Sequence, residues 1–144
     1  MTNQYRGLSI AILIFNCLIL IGAGHGVGPI IIFEVMLPFT KKENISFNPL
    51  GSYDDSIAVA TLIMFIGQLL LFIATHKENI IMRLISLLVM WMGLLFLTHD
   101  VFNGDGLSKF TLASATPFLI LSAALFSFDV RQYLQKDQTD SELE

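Results

Sequence analysis

Charge is scarce in this sequence. Only 14% of its 144 residues are Asp, Glu, Lys or Arg, against about 25% in ordinary soluble domains. Apolar residues make up 54%, and the mean hydropathy is +0.70. Together these exclude a soluble globule, and the same apolar excess excludes a disordered chain. There is a single cysteine, so neither an intrachain disulfide nor a cysteine-built zinc site can form. Eight basic residues against twelve acidic ones leave a net charge of −4, which is no footprint for a nucleic acid. No H-E-x-x-H, H-x-x-x-H or E-x-x-H motif occurs, and that weighs against a metalloenzyme of familiar pattern.

Long apolar runs take the place of charge. A hydrocarbon core of about 30 Å needs about 20 apolar helical residues, and four stretches qualify: 8–37, 57–75, 80–98 and 107–128. Their hydrophobicity is continuous and does not alternate, which favours helices over barrel strands. The expectation is an all-α, multi-pass membrane protein. Residues 1–128 would form a four-helix bundle, and 129–144 a polar, acidic tail. Residues 76–79 are too few for anything but a tight antiparallel hairpin between the second and third spans. Arg83 and Lys109 sit near span ends, where long basic side chains snorkel to the headgroups. The first run, preceded by Arg6 and carrying Gly22-Ala23-Gly24, has the outline of a signal peptide but is read as a retained span.

Four spans place both termini on one side. Arg6, Lys77, Arg83, Arg131 and Lys136 fall there, against Lys41, Lys42 and Lys109 opposite. The excess points to cytoplasmic termini.

The first run is the anomaly. At 30 residues it would reach about 45 Å as one helix, more than the bilayer needs. Gly22, Gly24, Gly26, Gly28 and Pro29 crowd its second half. They predict a long first helix that is kinked, or broken near residues 26–29 with a short helix returning to the outer interface. The glycines also form two G-x-x-x-G pairs, a spacing that lets helices approach closely. By residue count His25 lies near the outer boundary and Glu34 beyond it, as an interfacial carboxylate. His99 and Asp100 follow the third span at the same face. His25, Glu34, His99 and Asp100 are therefore the candidate ligands for a divalent metal at the outer face; the same residues suit a hydrogen-bonded polar cluster or an acid–base pair.

Other polar residues read as helix contacts. Ala60, Gly67 and Ala74, then Ser86, Gly93 and Asp100, then Ser108, Thr111, Ala115 and Ser122, each recur on one helical face. Such small-residue faces pack against neighbouring helices. Gln68 is expected to bond across helices or, alternatively, to line a polar pocket, with Asn16 and Cys17 of the first span facing the same interior. Functionally, the sequence suits an accessory, assembly or interaction subunit of a larger membrane complex, or a homo-oligomer, embedded in the lipid bilayer. The alternatives are an oligomeric transporter or channel subunit with its polar site at the broken first helix, and an intramembrane enzyme at the outer face.

Overall fold

The computed structural model describes residues 3–23, 26–39, 48 and 51–141, with side chains described for 5–22, 26–39, 48 and 51–135. Among the described residues, three helices are long and apolar enough to cross a membrane. They are α3 (Tyr53–Lys77), α4 (Ile80–Thr98) and α5 (Gly106–Ser141). Ahead of them lie α1 (Asn3–Cys17), a β-hairpin of β1 (Leu20–Ala23) and β2 (Gly26–Pro29), and α2 (Ile30–Met36).

The boundaries follow from local chemistry. At the start of α3 the Asp55 carboxylate accepts from the Ser52 N–H (3.2 Å) and hydroxyl (2.7 Å), tying the chain at the helix entry. The helix ends where Glu78 turns left-handed at φ 54°. Asn79 then accepts from the Met82 N–H at 3.0 Å and caps α4. The expected tight hairpin between these spans is therefore present. Beyond α4, a 3-10 turn (His99–Val101) leads through Gly104, at φ 94°, to Asp105. The Asp105 carboxylate accepts from the Ser108 N–H at 2.6 Å and caps α5. Helix α5 runs through Pro117 into the polar tail as far as Ser141.

Small residues set the packing, as the helical spacing suggests. Ala60, Gly67 and Ala74 are buried, as are Ser86 and Gly93, and Ser108, Thr111, Ala115 and Ser122. Gly67 lies against Met90 with the Ser86 carbonyl 3.2 Å from where a Cβ would stand. Gly93 lies against Met64 with the Ala60 carbonyl at 3.0 Å. The two notches are reciprocal, and they bring the α3 and α4 backbones together. On the outward faces Phe72, Leu95 and Ile120 are all more than 60% exposed. In water such faces would be aggregation surfaces; against lipid tails they are at no disadvantage.

Two expectations need correction. Residues 8–37 do not form one long kinked helix. Helix α1 stops at Cys17, the chain turns back through the β-hairpin, and α2 returns alongside α1 and α3. Glycine populates extended backbone readily and Pro29 removes a donor, so this segment gives way to a hairpin. Its glycines serve that hairpin, where Gly22 admits the Leu107 side chain, and not a G-x-x-x-G helix face; Gly24 lies outside the described residues. The second correction is Arg83, which does not snorkel. It is fully buried against an equally buried Asp129.

Candidate functional site

Where a strand is buried against helices, its backbone must find partners away from water. The register pairs Leu20 with Pro29, Ile21 with Gly28, Gly22 with Val27 and Ala23 with Gly26. A bond from the Ile30 N–H to the Ile19 carbonyl (2.7 Å) closes the ladder just beyond Leu20 and Pro29. Leu20–Pro29 and Gly22–Val27 are then the pairs whose amides face away from each other. Each outward amide of β1 is met by a hydroxyl. The Leu20 N–H donates to Ser114 Oγ of α5 (3.0 Å), and the Gly22 N–H to the Tyr53 hydroxyl of α3 (3.2 Å), itself bonded to Thr111 Oγ1 at 2.6 Å. On β2, Pro29 occupies an outward position and has no N–H to satisfy.

The hairpin returns the chain so that α2 carries a carboxyl inward. Ile30 and Glu34, four residues apart on one face, are the buried residues of this short helix, while Val35 and Met36 are exposed. Glu34 is 6% exposed and accepts from Gln68 Nε2 of α3 at 2.6 Å. The same Gln68 nitrogen donates to Asn16 Oδ1 of α1 at 2.6 Å, and the Cys17 thiol lies 3.9 Å from Gln68 Oε1. Gln68 thus links α1, α2 and α3 through Asn16, Cys17 and Glu34. Two atoms of the cluster are buried without a hydrogen-bond partner among the described residues, Asn16 Nδ2 and Glu34 Oε2. Glu34 makes no ion pair among the described residues.

The structure therefore moves Glu34 from the interface to the interior. It does not join His99 and Asp100. Gln68, its partner, lies 15 residues along α3 from Tyr53, about 22 Å, whereas His99 sits at the start of α3. There His99 Nε2 lies 3.0 Å from the Gly51 carbonyl and 3.2 Å from Asp100 Oδ2, and Nδ1 lies 2.8 Å from the Phe96 carbonyl. Both ring nitrogens are thus engaged by oxygens. Asp100 also accepts from Asn103 at 2.9 Å, in the loop and not along the α4 seam. His25 lies outside the described residues. Among those described, no group of three or more His, Cys, Asp or Glu is placed to hold a metal ion. The expected divalent-metal set is thus divided between two places.

Sequence reasoning missed two partnerships. The Tyr53 hydroxyl carries no periodic signal, because its role exists only once a hairpin is beside it. Arg83 and Asp129 carry a faint one, since each lies near the same end of antiparallel neighbours. No family model, no curated protein and no solved structure matches this chain.

Proposed function

We propose that the protein is a proton-handling subunit of a larger membrane assembly, with Glu34 as the group that takes up and releases the proton. The observation that supports this most is Glu34 Oε2, a buried carboxyl oxygen without a partner among the described residues, in a cluster where Gln68 Nε2 bonds both Glu34 and Asn16. A charge at the centre of a bilayer costs about 2.5–3.5 kcal/mol on insertion scales, and a neutral carboxyl avoids that cost. Ionisable residues at such depth mark proton relays and ion paths more often than scaffolding, and broken segments line such sites.

In this reading α1 and β1 together make the first of four crossings. Fifteen helical residues and one strand reach about 35 Å. Tyr5 of α1 packs edge-on against Phe128 of α5 at 6.4 Å, which supports both termini at one end, and the excess of basic residues there favours the cytoplasm. A proton released at Glu34 needs a path to the membrane surfaces. The path would continue between copies of the chain or onto a partner, which retains the expected role as a complex subunit.

Infrared difference spectra between acid and alkaline pH test the proton site on the isolated protein. A protonated-carboxyl band that titrates in wild type and is lost in Glu34→Gln is the expected result. Identical spectra for the two proteins would remove the reading. Proton flux into liposomes carrying the assembly extracted in mild detergent should then fall to the background of empty vesicles with the same variant.

A further inference from the structure

At the end of the bundle that carries the α3–α4 turn, a cleft of about 100 Å³ opens between α1 and α3. It is lined by Arg6, Ile10 and Leu13 of α1 and by Phe72, Thr75 and His76 of α3. The lining is graded. Arg6 is one turn from the start of α1 and His76 is next to the end of α3, so both basic groups stand at the mouth. Ile10 and Leu13 are one and two turns further in, and Phe72 is one turn back along α3. The Thr75 hydroxyl is committed to the Leu71 carbonyl at 2.7 Å, so the inner walls offer no free donor. Arg6 makes no ion pair among the described residues.

We propose that this cleft is a binding site for an anionic phospholipid, with the headgroup phosphate between Arg6 and His76 and the first methylenes of an acyl chain against Ile10, Leu13 and Phe72. The gradient from charge to hydrocarbon runs along the helix axes, as it does along a lipid. Among the described residues, no acidic one lines the cleft. The neighbouring larger cleft, of about 350 Å³, differs on this point, since Glu78 stands there beside Lys77. An Arg or Lys near an anionic leaflet contributes about 1 kcal/mol, or about fivefold in affinity, and this applies to Arg6. The site is independent of Glu34, which lies on another helix, and either assignment can fail without the other.

Native mass spectrometry of the full chain in mild detergent tests it, with equimolar phosphatidylglycerol and phosphatidylcholine of matched chains. The expected result is a phosphatidylglycerol adduct that exceeds the phosphatidylcholine adduct, falls about fivefold in Arg6→Ala and also falls in His76→Ala, which removes a ring N–H at the mouth. Arg131→Ala, which removes an exposed basic residue elsewhere at the same end, should leave it unchanged. Leu13→Trp, which fills the apolar wall and keeps Arg6 and His76, should reduce it. Excess inorganic phosphate should not displace it. Equal adducts of the two lipids, an equal loss in Arg131→Ala, or full displacement by phosphate would each overturn the proposal, the last by reducing the cleft to a simple anion site.

Discussion

Arg83 and Asp129 meet in complete burial where α4 runs beside α5. Arg83 Nε donates to Asp129 Oδ2 at 2.6 Å, and its terminal nitrogen reaches Oδ1. The guanidinium carbon also lies 5.8 Å from the centre of the Tyr5 ring, within range of a cation–π contact. One ion pair thus joins α4 to α5 and draws in the start of α1.

This pair is expected to be costly to break and cheap to replace. Arg83→Leu or Asp129→Leu alone leaves a buried charge uncompensated, at about 3–5 kcal/mol. The double variant removes both charges and should recover most of that loss. Denaturant unfolding in detergent micelles measures all three. Two single variants with small, additive effects would show that the pair carries little.

The reciprocal glycine notches make a second prediction. A methyl at Gly67 or Gly93 meets a methionine stem and a backbone carbonyl at once, so Gly67→Ala and Gly93→Ala should each destabilise by about 1–3 kcal/mol. Gly7 in α1 has nothing within 4 Å of the same position. Gly7→Ala should therefore stabilise, by up to about 1 kcal/mol, through helix propensity alone. Thermal melts that rank the three variants otherwise would contradict the packing assigned here.

The spans were legible because hydrophobic length and small-residue spacing are local properties. Residues 80–98 are helical as expected, and 57–75 lie within the longer α3. The small-residue faces pointed to the surfaces that pack. What was not legible was the direction of the chain after Gly22. A run of 30 apolar residues looks like one long helix whether it continues or folds back, since glycine and proline mark where regularity ends and not where the chain goes next. Glu34 therefore counted as lying beyond the outer boundary, while the hairpin returns it to the level of Asn16. Gln68 was identified because an amide in mid-span needs a partner from another helix. That its partner would be Glu34 required the fold.

The Asp105 cap should be sensitive to acid. Hydrogen bonding from Ser108 holds the Asp105 carboxyl below its ordinary value. The folded state therefore binds this proton less readily than the unfolded chain does. Its contribution is complete above the ordinary aspartate pKa of about 3.9 and is lost as pH falls through the lower folded value. Asp105→Ala should lower stability by about 0.5–2 kcal/mol at neutral pH, and the gap to wild type should close in acid. A gap that stays constant down to pH 2 would mean that the carboxylate is not what caps α5.

The hairpin gives the last prediction, because its backbone depends on side chains from two spanning helices. Tyr53→Phe removes the acceptor of the Gly22 N–H and the partner of Thr111, and an unsatisfied buried group costs about 1–3 kcal/mol. Ser114→Ala does the same to Leu20. Hydrogen exchange resolves the two, since Tyr53→Phe should speed exchange at Gly22 and Ser114→Ala at Leu20. Pro29→Ala acts in the opposite sense, by adding an N–H where the ladder offers no acceptor, and should also destabilise. The effect extends beyond the hairpin, because β2 leads directly into α2. A hairpin that loosens should release Glu34 from Gln68, so the titrating carboxyl band assigned to Glu34 should shift in Tyr53→Phe, although Tyr53 touches neither residue. A band unmoved by that variant would show that Gln68 alone holds Glu34 in place, with the hairpin serving only to bring the chain round.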